Sequence, residues 1–273
     1  MHSIHIKDFI IGDKDSRLTV ISGPCVIESE EHCLMAARKL KEIYSQFDVN
    51  FIFKSSYDKA NRSSVEGFRG PGIKEGLRIL ARVKEELDLP VLTDVHSPED
   101  SILAALVCDM IQIPAFLCRQ TDLVVAAAKT GCPMSVKKGQ FMAPGDMQNV
   151  VDKVMSTGNN QIMLTDRGTS FGYNTLVSDM RSIPIMKNMG FPICFDATHS
   201  VQQPGGLGKS SGGQREFIPT LTYAAMAAGA NVLFMEAHDD PSVAKSDAAS
   251  VVAFKDIPEV IKKAVQFYNI AQK

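Results

Sequence analysis

The chain reads as a repeating alternation of short apolar runs and longer segments with one apolar face. Runs rich in β-branched and aromatic residues occur at "RLTVISG", "VNFIFKSS", "LPVLTDVH", "DMIQIPAF", "PMSVKKG", "NQIMLTDRG", "FPICFDATH" and "NVLFMEAH". Between them, "EEHCLMAARKLKEIYSQF", "GIKEGLRILARVKEEL", "PEDSILAALV", "TDLVVAAAKTG", "GDMQNVVDKVMSTG", "LVSDMRSIPIMKNMG" and "FIPTLTYAAMAAGA" repeat apolar positions at helical spacing, and "DIPEVIKKAVQFYNIAQK" closes the chain as a last helix. Strands alternating with helices at this spacing imply parallel strands joined by helical crossovers. Eight units without a break in composition, and a first unit lacking the glycine fingerprint of a dinucleotide fold, predict one α/β domain over 1–273: a closed (β/α)8 barrel. Residues 1–12 precede the first barrel strand and are expected to form a short N-terminal β-hairpin closing its bottom.

Buried barrel strands should be apolar throughout, and the departures cluster at their C-terminal ends. Lys54 follows "FIF", Asp94 and His96 follow "VLT", and Lys137 and Lys138 follow "MSV". Asp166 and Arg167 follow "IMLT", Asp196 and His199 follow "ICF", and Glu236 and His238 follow "VLFM". A single polar strand end is commonly a satisfied cap. Six of eight ending in ionisable residues predict a site at the C-terminal mouth, where barrel enzymes place their chemistry.

Composition narrows the ligand. Of 273 residues, 45% are hydrophobic and 22% charged, with a net charge of −2, so no global field selects nucleic acid or an anionic membrane surface. An anionic ligand must therefore meet a local cluster, and Lys54, Lys59, Arg62, Arg69, Arg119, Lys137 and Arg167 supply one, with Asn61, Ser63 and Ser64 beside Arg62. For Arg69 a solvated surface charge weighs as much as a functional one. No apolar run reaches membrane-span length and the N-terminus does not read as a signal peptide, so a cytoplasmic protein with six reduced cysteines is expected. Cys33, Cys108 and Cys194 fall in helical or strand-like runs and read as core thiols. The long Gly/Ser-rich stretch 200–217 reads as a mobile lid or a solvated loop.

Cys25, just past "ISGP", admits four readings: packing thiol, nucleophile, disulfide partner or metal ligand. In a closed barrel the first, seventh and eighth strands adjoin, which brings Cys25, His199, Glu236 and Asp247 within reach of one divalent ion. No local CxxC or HxxxH spacing supports that set, and His96 and His238 compete as imidazoles.

The motifs "KSSYDKANRSSVEGFRGPG", "IQIPAFLCRQTDL", "VKKGQF", "DRGTSFGYN", "FDATHSVQQPGG" and "FMEAH" occur in this order and closely resemble the 3-deoxy-D-manno-octulosonate 8-phosphate (KDO8P) synthases, from Thr19 to the last helix. The resemblance implies a transferase condensing phosphoenolpyruvate with arabinose 5-phosphate, with release of phosphate, in lipopolysaccharide biosynthesis. It implies that Lys54, Lys59, Lys137, Gln140, Arg167 and the Ala115 backbone hold phosphoenolpyruvate. Asn61, Arg62 and Ser63 would hold the sugar phosphate, reached also by Arg119 of a neighbouring subunit in a homotetramer. Catalytic roles fall on Lys54, Asp94, His96, Lys137, His199 and Asp247.

The family has metal-independent members with Asn at the Cys25 position and metal-dependent members with Cys. Cys25, His199, Glu236, Asp247 and the "QQPGGLG" loop match the latter, with Zn, Fe(II), Mn or Co as candidate ions. "SDAAS" carries one residue more than the common "SDAS", which bears on contacts after Asp247. The alternatives are a DAHP synthase using erythrose 4-phosphate, disfavoured by "KANRSS", and a non-catalytic phosphosugar-binding barrel.

Overall fold

The computed structural model describes residues 1–13, 16–205 and 212–272. After the hairpin β1 (Ile4–Ile6) and β2 (Phe9–Ile11), the chain runs β3 (Leu18–Gly23), α1 (Glu30–Tyr44), β4 (Val49–Lys54), α2 (Ile73–Leu87), β5 (Val91–Asp94), α3 (Pro98–Ala105), β6 (Met110–Ile113), α4 (Thr121–Lys129), β7 (Met134–Lys137), α5 (Gln148–Met155) and β8 (Ile162–Asp166). A small hairpin, β9 (Thr169–Ser170) and β10 (Leu176–Val177), leads to α6 (Ser182–Lys187) and β11 (Ile193–Asp196). The pair β12 (Gln202–Gln203) and β13 (Gly212–Gly213) precedes α7 (Ile218–Ala227), β14 (Val232–His238), β15 (Val252–Ala253) and α8 (Ile257–Ala271).

Strands β3, β4, β5, β6, β7, β8, β11 and β14 pair in parallel, each with the next, and β14 returns to β3 with Val232 opposite Thr19. The barrel closes as predicted, with β15 added beside the end of β14.

The period-2 alternation of strand side chains explains how this sequence builds a site. Ile21, Ile52, Leu92, Met110, Met163, Cys194 and Phe234 form one buried cluster with Ile4, Ile6 and Ile11 of the N-terminal hairpin. That cluster fills the barrel's interior from below, and the hairpin is its plug. Two residues further along, the same inward face carries Lys54 after Ile52, Asp94 after Leu92, Gln112 after Met110, Asp196 after Cys194 and Glu236 after Phe234. The intervening residues, among them Phe53, Ile111, Val136, Leu164, Phe195 and Leu233, belong to the larger core between barrel and helices. A one-residue slip would send the charged set into that outer core. Cys33, Cys108 and Cys194 are buried free thiols in these cores, as expected.

Two sequence expectations shift. The segment "LVSDMRSIPIMKNMG" is helical only over Ser182–Lys187, while Leu176 and Val177 pair antiparallel with Ser170 and Thr169. Asn174 at φ 54° and Gly172 at φ 71° make the turn of that hairpin, which the apolar spacing alone did not reveal. Cys25 lies two residues beyond β3 rather than at its end, and His199 lies three beyond β11. At Gly23 a Cβ would stand 2.0 Å from the Lys54 carbonyl oxygen, so only glycine lets the chain pass so close on its way to Cys25.

Outside the barrel, Ser29 caps α1 by accepting from the His32 amide, and Glu30 binds Arg78 (2.5 Å) and Arg82 of α2. The two guanidinium groups lower the Glu30 carboxyl from 4.5 to about 2. A depressed carboxylate stabilises the fold fully above its unfolded value and stops doing so as pH falls through the folded one. The stability difference between wild type and Glu30→Gln should therefore shrink in chemical denaturation as pH drops from about 4.5 to about 2. A difference independent of pH would remove the ionic account of this clamp.

Candidate active site at the barrel mouth

A cavity of about 690 Å³ opens over the inward-facing strand ends. It is lined by Lys54, Lys59, Asn61, Arg62, Ser63, Asp94, His96, Ala115, Lys137, Gln140, Arg167, His199, Glu236 and Asp247, so nearly all of the candidate residues meet there. Arg119 is exposed and does not line the cavity of its own chain. Arg69 does not line it and pairs at the surface with Asp58, a residue of the cavity lining. Lys138 is wholly buried but turned to the strand connections, where its ammonium donates to the Gly168 carbonyl (3.0 Å) and Thr169 Oγ1 (3.1 Å).

Lys54 is the hub of the floor. Its ammonium donates to Glu236 Oε1 (2.7 Å), Ser56 Oγ (3.0 Å) and the Cys25 carbonyl (3.3 Å), which engages all three of its N–H groups. Burial raises the Glu236 carboxyl, but Lys54 and His199 outweigh it and bring the group to about 2. Asp94 is held below the carboxylate range against its own desolvation by Lys54 and by His96, whose Nε2 lies 3.0 Å from Asp94 Oδ2. In return Asp94 raises the His96 imidazole against burial, which lowers it.

Across the cavity, Lys137 donates to Asp196 Oδ2 (2.6 Å) and lies 3.9 Å from the centre of the Phe234 ring. Asp196 also accepts from the His199 amide (3.0 Å) and faces His199 Nδ1. That contact fixes the ring so that Nε2 points to Glu236 Oε2 and Asp247 Oδ2, both at 3.6 Å. Arg167 spends one terminal nitrogen on Gln202 Oε1 (2.7 Å) and the His199 carbonyl (3.1 Å). Its Nε, with Gln140 Oε1, is buried without a hydrogen-bond partner among the described residues.

The metal reading of Cys25 gains geometric support. Cys25, Glu236 and Asp247 each offer one ligand atom, all within 4.8 Å of one another. Cys25 Sγ lies 3.2 Å from Asp247 Oδ2, and Glu236 Oε2 is buried with no hydrogen bond among the described residues. Donors at about 2.0–2.3 Å on one tetrahedral ion stand roughly 3.3–3.8 Å apart. The two His199 contacts at 3.6 Å fall in that range and the Cys25–Asp247 pair just below it, while His199 stands outside the group of three whose ligand atoms are all mutually close. Burial and the two carboxylates push the Cys25 thiol up, a protein environment hostile to a free thiolate nucleophile. A disulfide is excluded, since Cys25 is free.

Three participants escaped the sequence reading. Ser246 Oγ meets Cys25 Sγ (2.9 Å) and accepts from Arg62 Nη1 (2.9 Å), linking Arg62 to the thiol. Ser56 joins Lys54, Lys59 and Asp94. Asp196 was noted as a strand-end acid but given no role. Serines in a loop carry no periodic signal; for Asp196 the signal was its position three residues before His199. Of the stretch 200–217, residues 206–211 lie outside the described residues, and its flanks are tied together where Gln202 pairs with Gly213.

Comparison with known proteins places this arrangement. Residues 2–273 match the model of the DAHP synthetase I family. A protein of Protochlamydia amoebophila named 2-dehydro-3-deoxyphosphooctonate aldolase is 61% identical over 273 residues, covering 100% of this chain and 99% of that protein. Proteins of the same name from Trichlorobacter lovleyi and Geobacter metallireducens are 60% and 59% identical over 246 residues, 90% of each chain.

Proposed function

Since the chain belongs to the DAHP synthetase I family, we propose that it condenses phosphoenolpyruvate with D-arabinose 5-phosphate and water to 3-deoxy-D-manno-octulosonate 8-phosphate and phosphate. The name shared by its relatives, another name for KDO8P synthase, agrees with this reading. The observation that carries it is a cavity in which two cationic walls meet a carboxylate–imidazole floor.

Lys59, Lys137, Gln140, Arg167 and the Ala115 backbone form one wall, toward phosphoenolpyruvate. Asn61, Arg62 and Ser63 form the other, toward the sugar phosphate. The exposed Arg119 is available to a neighbouring cavity in a homotetramer, the assembly we propose. Lys54, its donors engaged, acts chiefly by keeping Glu236 and Asp94 ionised and in place.

In the reaction, C3 of the enol attacks the aldehyde carbon while water adds at C2, and phosphate departs with cleavage of its C2–O bond. Positive charge developing at C2 is stabilised by the anionic floor of Asp94, Glu236 and Asp247. His96, held by Asp94, donates a proton to the aldehyde oxygen as it becomes a hydroxyl. Of the two protons of the added water, one returns to His96 and the other leaves with phosphate as the C2 hydroxyl collapses to the ketone. Cys25, His199, Glu236 and Asp247 would hold a divalent ion of Zn, Fe(II), Mn or Co type. Such an ion supplies Lewis acidity that orients the aldehyde. A cytoplasmic location is part of the proposal; among the described residues no helix is long and apolar enough to cross a membrane.

The test is phosphate release by metal-replenished protein. Release is expected only when phosphoenolpyruvate and arabinose 5-phosphate are both present; silence would favour a non-catalytic binding barrel.

A further inference from the structure

A second group of ligand-type side chains lies between the start of α1 and the end of β14. Glu28 immediately precedes the cap Ser29, His32 is the third residue of α1, and His238 ends β14. The two imidazole centroids are 4.7 Å apart, and Glu28, His32 and His238 each offer one ligand atom within 4.8 Å of the others. Asp239 adds a carboxylate, its Oδ1 2.9 Å from His32 Nε2 and 3.1 Å from His238 Nδ1.

His238 is only 3% exposed, and its two nitrogens have different fates. Nδ1 lies 3.0 Å from the Asp240 backbone nitrogen and 3.1 Å from Asp239 Oδ1. For Nε2 to offer a lone pair to a metal, the ring proton must sit on Nδ1 and be accepted by Asp239, at the expense of the Asp240 contact. Nε2 has no hydrogen bond among the described residues, although Glu28 Oε1 stands 3.3 Å away. His32 Nδ1 is likewise buried and unpartnered. Two ligands at about 2.0–2.1 Å on one tetrahedral ion stand about 3.3 Å apart, which is the His238–Glu28 spacing. Glu31 in the first turn of α1 offsets part of the positive helix end that would otherwise oppose a cation, the neighbouring Glu30 being paired with Arg78 and Arg82.

We propose that Glu28, His32 and His238, with Asp239 beside them, form a second divalent-metal site, separate from the Cys25 cluster. Two imidazoles with carboxylates select Zn(II), Co(II) or Ni(II) over Mg(II) or Ca(II). Glu28 Oε1 also accepts the Lys245 amide (2.9 Å), at the head of the segment carrying Ser246 and Asp247. An ion here would brace that segment against α1 and β14, a structural role that does not require contact with substrate.

The experiment titrates chelator-stripped full-length protein with Co(II), counting bound cobalt by equilibrium dialysis and following the thiolate-to-cobalt absorption that a Cys25-bound ion would give. Wild type is expected to bind one more equivalent than His32→Ala, with the same thiolate absorption in both. His32→Gln, which keeps bulk and polarity at this partly exposed position, is expected to lose the same equivalent. The comparison depends only on the difference between proteins, so it stands even if the Cys25 cluster binds nothing. Equal cobalt counts in wild type and both variants would overturn the proposal and leave the group a hydrogen-bonded brace.

Discussion

Cys25→Asn is expected to lose its cluster's metal and most of its activity. The substitution replaces a potential thiolate with a neutral amide while leaving Ser246 Oγ, 2.9 Å from the sulfur, a polar partner. Loss of a second-shell partner alone costs 10–100-fold in metal affinity, so loss of a ligand atom should cost more than about 100-fold. Glu236 and Asp247 would then face each other with less compensating charge, although Lys54 still holds Glu236 at 2.7 Å. Chelation of the wild type should abolish turnover, and added Zn, Fe(II), Mn or Co should restore it. The variant should respond little to either, keeping a residual rate in the manner of relatives with Asn at this position. The readout is metal content beside turnover with and without chelator. Unchanged metal content in Cys25→Asn, corrected for any second site, would remove Cys25 as a ligand.

Lys137→Met carries the second large effect. Its ammonium is the buried cation between the wall proposed to hold phosphoenolpyruvate and Asp196, at 2.6 Å, and Asp196 in turn sets the His199 ring. Deletion removes charge from the anion wall and leaves the Asp196 carboxylate with only Thr198 and His199 as hydrogen-bond partners among the described residues. Removing one preorganised group at a reacting centre costs about 10²–10³-fold in kcat. With weakened anion binding added, kcat/KM for phosphoenolpyruvate should fall roughly 10³-fold or more, about 4 kcal/mol. Lys137→Arg should recover only part of this, because a planar fork cannot reproduce a compact charge 3.9 Å above the Phe234 ring. A loss confined to KM, with kcat intact, would make Lys137 a binding group only.

The legible part of the molecule is the part governed by period. Ile52 then Lys54, and Phe234 then Glu236, put an apolar layer and a charged layer on the same inward face, and that rhythm is visible in the letters. The hairpin plug followed from its place ahead of the first strand. What the letters hid was either irregular or remote. The apolar pair Leu176–Val177 kept helical spacing with its neighbours, yet forms an exposed hairpin whose Phe171 and Tyr173 are 73% and 97% exposed. Ser246 and Ser56 sit in loops, where one hydroxyl looks like any other. Glu28 and His32 meet His238 from more than 200 residues away, a proximity that only barrel closure creates. The resemblance supplied the substrate assignments, while the geometry supplied reasons for them, such as the Arg167 Nε donor in the cavity wall, unpartnered among the described residues.

The most direct test of the central claim is a competition. Metal-replenished protein receives phosphoenolpyruvate with equal concentrations of arabinose 5-phosphate and erythrose 4-phosphate, and the products are separated by mass. The account predicts the eight-carbon acid phosphate as the dominant product, formed in step with phosphate release. A dominant seven-carbon product would contradict it and assign this site to erythrose 4-phosphate.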